Sequence, residues 1–184
     1  MSFPGNYYDF FEIGHRLDLD LQDLEKRFYT LSRRWHPDVF SRRSAAEKQE
    51  SLEATAVLND AYRTLRDPIS RAGYLLREQG FETGEQKSTD VPPELLEEVF
   101  ELNMALEELK AGDEEALPQL EQARAKFTAM RDGVDKDLQS QCAEYDRNNE
   151  HAVLGRIRGL LNRRKYIRNL VNEVEKALVA NVSN

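Results

Sequence analysis

Three adjacent residues, His36-Pro37-Asp38, join an imidazole, a conformational lock and a carboxylate. Pro37 fixes its own backbone and pushes His36 out of the helical region, so the tripeptide is held extended. His36 offers two ring nitrogens, and Asp38 offers an anionic acceptor suited to an arginine partner. Upstream, the exposed side of a helical pattern carries Lys26, Arg27, Arg33 and Arg34. Downstream, Arg42 and Arg43 sit in a basic loop. A basic face of this kind steers toward an acidic protein surface. Alone, the tripeptide could merely cap a loop. Its place between two helices makes it a candidate recognition element.

The rest of the chain offers no catalytic constellation. His15, His36 and His151 never fall in HxxxH or HxxH spacing, so no metal site is expected. No Gly-x-Ser-x-Gly, P-loop or dinucleotide-type glycine motif occurs. The acid pairs Glu97-Glu98 and Glu107-Glu108 have no catalytic partner and read as solvated helix faces. Neither an enzyme nor a bound cofactor is expected.

The elements that must position the tripeptide follow from local signals. Leu21, Leu24, Phe28 and Leu31 recur at helical spacing, with Asp20 as N-cap and Pro37 as terminator. A loop is expected from Val39 to Arg43. Ser44 and Glu47 have capping-box spacing, and the next helix carries Leu52, Ala56, Leu58, Ala61, Tyr62 and Leu65. Asp67-Pro68 opens a shorter helix through Tyr74, Leu75 and Leu76, closed by Gly80. Gly84 to Pro93 is polar and aperiodic and reads as a linker.

Beyond it, Leu95, Val99, Leu102, Leu106 and Leu109 predict a helix ending at Gly112. Leu120, Phe127, Met130, Val134, Leu138, Cys142 and Tyr145 predict a second, with Pro118 obscuring its start. Leu154, Ile157, Leu161, Ile167, Val171, Val174 and Leu178 predict a third. Gly155 and Gly159 weaken that helix, and their spacing could let two helices approach closely. Leu96, Phe100 and Met104 form a second apolar stripe, spaced by four, that is either a partner surface or a wider core face. Tyr166 lies among Arg163, Arg164, Lys165 and Arg168, as a hot spot or an ordinary amphipathic surface residue. The expected fold is all-α: a helical N-terminal hairpin domain over 1–80, a linker over 81–93, and a C-terminal three-helix bundle over 94–184.

Composition limits the function classes. The net charge of −8 over 184 residues disfavours generic nucleic acid binding. One cysteine excludes an internal disulfide and a cysteine-based zinc site. No apolar run is long enough for a bilayer, and the first basic residue is Arg16, so no leader or membrane contact is expected. A cytoplasmic location is the expectation. Residues 1–91 carry net −3, residues 92–146 net −10 and residues 147–184 net +5. An acidic middle followed by a basic tail suggests helical segments that pair antiparallel, or charges that neutralise one another inside one bundle.

Tyr7-Tyr8-Asp9-Phe10-Phe11, Phe28 to Asp38 and Leu58 to Pro68 together resemble a J-domain, the module that stimulates DnaK-type chaperones. Arg71-Ala72-Gly73-Tyr74-Leu75-Leu76, then Gly80-Phe81, resembles the HscB (Jac) branch, co-chaperones of iron–sulfur cluster assembly. The resemblance implies that His36, Pro37 and Asp38 trigger ATP hydrolysis in an HscA-like chaperone. It implies that Lys26, Arg27, Arg33 and Arg34 dock on that partner. It also implies that the C-terminal bundle binds an IscU-like scaffold through Leu96, Phe100, Glu101 and Tyr166. Met104 and Glu97 depart from the family pattern there. The alternatives are a J-domain serving another client and a helical adaptor outside chaperone action.

Overall fold

The computed structural model describes residues 5–81 and 93–182. Seven α-helices are described: α1 (Tyr7–Phe10), α2 (Leu21–Trp35), α3 (Ala45–Arg66), α4 (Pro68–Glu78), α5 (Leu96–Lys110), α6 (Leu117–Asn148) and α7 (His151–Val182). No strand occurs among the described residues, as the all-α expectation required. The chain forms two compact units. One comprises Met1–Thr83 with Cys142–Glu150, and the other Gly84–Gln141 with His151–Asn184. The linker expected over 81–93 lies, apart from Phe81 and Pro93, outside the described residues.

In the first unit, each helix starts where a side chain takes over an orphan backbone donor. Asp20 accepts from the N–H of Gln22 at 2.8 Å and of Asp23 at 3.2 Å, opening α2. Ser44 and Glu47 form the capping box of α3. The Ser44 hydroxyl, and then its N–H, hold the Glu47 carboxyl below its ordinary pKa. Asp67 accepts from Ser70 N–H at 2.7 Å, and Pro68 occupies the first position of α4. Helix α2 stops at Trp35 because Pro37 forces His36 to an extended ψ of 132°. The segment after it is partly regular: Pro37–Phe40 is a 3-10 turn, where a loop was expected from Val39.

Helix α4 ends in a Schellman motif. Gly80 N–H bonds to the Arg77 carbonyl and Phe81 N–H to the Leu76 carbonyl, with Gly80 at φ +77°. A glycine reaches that left-handed geometry without a Cβ clash.

The α2–α3 hairpin buries Leu24 from one helix and Ala54, Leu58, Ala61 and Leu65 from the other. Phe28 stacks on Tyr62 at 4.3 Å. Leu52 and Ala56, expected on the core stripe, are exposed. At 3.6 residues per turn they lie on the side opposite Leu58, and Ser51 and Ala54 complete the buried face instead. The short α1 depends on packing. Tyr7 stacks on Tyr74 at 4.4 Å and donates its N–H to the Tyr74 hydroxyl at 2.9 Å.

Residues 142–150 complete this unit. Tyr145 is buried, and the Asp146 carboxylate accepts from the N–H of Leu17 and Asp18. Nearby, Arg71 is buried, with Nη1 donating to the Leu65 carbonyl at 2.7 Å. Burial lowers its pKa, while Tyr8, Cys142, Asp18 and Asp146 favour its charge.

The second unit packs α5, α6 and α7 around Leu95, Leu102, Leu106, Leu120, Phe127 and Ile167, with Val171 and Val174 beyond. Helix α5 also ends in a Schellman motif, at Gly112 (φ +91°), with Asp113 N–H on the Glu108 carbonyl. Pro118 does not break α6. It sits in the first turn, where no N–H is needed, after a 3-10 turn capped by Asp113. Arg164 forks onto Asp135, and Arg156 bonds to Gln141, so α6 and α7 run antiparallel. Lys126–Glu98 and Arg163–Glu94 add cross-helix pairs of 3.4 and 3.8 Å. Arg164–Asp135 and Arg163–Glu94 join the basic tail to the acidic middle segment. The close approach considered for Gly155 and Gly159 does not occur. Both are exposed, and a Cβ at either would meet nothing within 4 Å.

Candidate functional site

The first unit presents the tripeptide at the tip of the α2–α3 hairpin. His36 Nδ1 accepts from Asp38 N–H at 3.2 Å, so His36 caps the 3-10 turn that it precedes. With Nδ1 accepting, the neutral ring carries its proton on Nε2. The Asp38 side chain is 91% exposed, with His36 Nδ1 3.5 Å from its Oδ2. An exposed carboxylate on a braced turn is presented for an incoming cation.

The basic face divides. Lys26, Arg33 and Arg34 are exposed, and the Arg34 guanidinium also lies over the Trp35 ring at 5.6 Å. Arg27 is half-buried and is hydrogen-bonded within the unit. It pairs with Asp23 at 2.7 Å and donates to the carbonyls of Phe11 and Glu12 at 3.2 and 3.0 Å. Its hydrogen bonds go to its own fold. Between Lys26 and Arg33, on the same helix face, stands Tyr29 at 56% exposure. Sequence reasoning left Tyr29 out of the candidate face. Its signal was the i, i+3, i+7 spacing with the two cations.

In the second unit, Leu96, Phe100 and Met104 are 55%, 66% and 48% exposed. They are a separate ridge on α5, and the wider-core alternative fails. Glu97, Glu101 and Glu108 are exposed along one flank. Met104 and Glu101 also line a shallow groove with Glu98, Ala123 and Lys126 of the same unit. Tyr166 is partly buried against the bundle core. Burial, and then Glu173, push its phenol above the ordinary value. Among the described residues no helix is long and apolar enough to cross a membrane.

Comparisons with known proteins place this arrangement. Residues 6–74 match the model of the DnaJ domain, and residues 91–175 match that of the HSCB C-terminal oligomerisation domain. A co-chaperone protein HscB homolog of Vibrio cholerae is 37% identical over 93% of this chain and 95% of its own length. One from Neisseria meningitidis is 30% identical over 94% of this chain and 98% of its own. Among solved structures, the chaperone HscB from Vibrio cholerae superposes with a TM-score of 0.65 at 33% identity, covering 95% of this chain and 98% of that one. Human co-chaperone protein HscB gives 0.69 at 26% identity, covering 95% and 83%. With both halves matched in order and its relatives covered almost end to end, this chain belongs to the HscB family of co-chaperones.

Proposed function

We propose that this protein is a cytoplasmic adaptor that binds an IscU-like iron–sulfur scaffold and delivers it to a DnaK-type, HscA-like chaperone. On delivery it stimulates the chaperone's ATPase, so that the cluster carried by the scaffold passes on to acceptor proteins. The observation that carries the reading is that one chain bears two exposed ridges of different chemistry. One is cationic and aromatic, Lys26-Tyr29-Arg33 with Arg34, leading to His36-Pro37-Asp38. The other is apolar with acidic flanks, Leu96-Phe100-Met104 beside Glu101. The first suits an acidic partner, with steering by the cations and desolvation around Tyr29. The second suits an apolar patch with a basic rim. Tyr166 is assigned to the same scaffold surface, as an amphipathic anchor on α7. The chain supplies docking and positioning, and the hydrolytic chemistry belongs to the partner.

The test is steady-state ATPase of an HscA-like chaperone, with this protein and an IscU-like scaffold added singly and together. Synergy requiring both supports the adaptor reading. Stimulation that ignores the scaffold rejects the client. His36→Gln should abolish stimulation. Leu96→Ala with Phe100→Ala should abolish synergy alone, leaving basal stimulation intact.

A further inference from the structure

We infer that Ser51 is a positioning residue for the His36-Pro37-Asp38 turn, acting through the main-chain carbonyl of Trp35. The inference rests on the chaperone-activating role proposed above for that turn.

Trp35 is the last residue of α2. The N–H that would continue the helix onto its carbonyl is that of Val39, and Val39 N–H bonds instead to the His36 carbonyl at 2.9 Å. Pro37 has no N–H to offer. The Trp35 carbonyl is satisfied from α3, where the Ser51 hydroxyl donates to it at 2.7 Å. Ser51 is 0% exposed and stands in line with Ala54, Leu58, Ala61 and Leu65. A hydroxyl in such a stripe is costly unless bonded, and alanine would suit the packing as well. The hydroxyl's position is therefore specific to that carbonyl.

Thr55 lies 3.2 Å from the same carbonyl, but its hydroxyl also reaches the Ser51 carbonyl at 2.9 Å. It has one proton to give. Ser51 is accordingly the principal donor and Thr55 the auxiliary one.

The bond fixes the peptide plane between Trp35 and His36, where the helix stops and the tripeptide begins. The far end is held as well. The Trp35 and Phe40 rings are 4° from parallel with centroids 6.0 Å apart, so two residues flanking the tripeptide grip each other. The main chain of the turn is braced from inside, while the His36 and Asp38 side chains face solvent. Bracing holds the turn in the geometry that activation requires once the Lys26-Tyr29-Arg33 face has docked.

The experiment compares Ser51→Thr with Ser51→Val in full-length protein. Both add the same methyl volume, and only threonine retains the donor. Stimulation of an HscA-like ATPase is titrated to saturation, and emission of Trp35, the chain's only tryptophan, reports the turn directly. Ser51→Val should lower the maximum stimulation roughly two- to tenfold, the range set by one hydrogen bond. The half-saturating concentration, set by the Lys26-Tyr29-Arg33 face, should stay unchanged. Its Trp35 emission should shift, and Ser51→Thr should keep both maximum and emission near wild type. Equal maxima for the two variants overturn the inference, as does a loss seen only in half-saturation. His36→Gln is run alongside. If it is inactive while the two Ser51 variants agree, only the Ser51 inference falls. If it stimulates normally, the role of the turn falls too.

Discussion

The Asp146 carboxylate accepts from Leu17 N–H at 2.8 Å and Asp18 N–H at 2.6 Å, across 129 and 128 positions of sequence. Its side chain is 3% exposed. Hydrogen bonds to a buried charged acceptor exceed neutral ones in worth, and removing the acceptor strands both donors. Asp146→Ala should therefore lower unfolding free energy by about 2–3 kcal/mol, measured by urea denaturation. A change below about 0.5 kcal/mol would show these bonds to be incidental.

Arg27 and Lys26 are neighbours in sequence with opposite expected phenotypes. Arg27 bridges α2 to the carbonyls that end α1, and Glu12, one of the two residues it holds, has φ +54°. Arg27→Ala should cost about 1–2 kcal/mol of stability. Lys26→Ala should leave stability within about 0.5 kcal/mol and weaken chaperone docking instead. Thermal melts and the ATPase titration separate the two. Equal melting temperatures would refute the division of the basic face.

Gly155 and Gly159 sit in α7 with open space at their Cβ positions. Each loses backbone entropy on folding without a packing or turn requirement. Gly155→Ala and Gly159→Ala should each raise stability by about 0.5–1 kcal/mol. Destabilisation by either would reveal a close contact at that helix face.

Burial, followed by Asp146, pushes the Cys142 thiol up to about 11, against the opposing charge of Arg71. The folded value thus exceeds the unfolded one of 9.0. The associated stability is complete below pH 9 and is lost as pH rises from 9 through 11. Iodoacetamide at pH 8 should modify the folded protein about a hundredfold more slowly than the urea-unfolded chain, from thiolate fraction alone. Equal rates would place the thiol in water.

The parts of the fold legible in the sequence were those encoded within a few residues. Asp20, Ser44 with Glu47, Asp67 with Pro68, Gly80 and Gly112 each mark the boundary they were read to mark, because a cap needs only its own turn. The exposed ridge of Leu96, Phe100 and Met104 was legible because a three-helix bundle buries one stripe per helix. The rest depended on distant atoms. Arg27 reads as a surface cation until the Phe11 and Glu12 carbonyls are in place. Asp146 and Arg71 carry no local signal of their burial, which only the packing around them imposes. Leu52 was placed on the wrong side of α3 because small and polar residues, Ser51 and Ala54, line the side that packs.

Residues 142–150 belong to the unit that otherwise ends near residue 83, and this fixes an order of events during synthesis. Helices α1 to α4 are made first, but Leu17 and Asp18 wait for a carboxylate some 65 residues beyond Phe81. At ribosomal rates of about 5–20 residues per second, the wait is roughly 3–13 s. During that interval the nascent amino-terminal helices lack the partner that closes them, although the whole His36-Pro37-Asp38 turn has already been made.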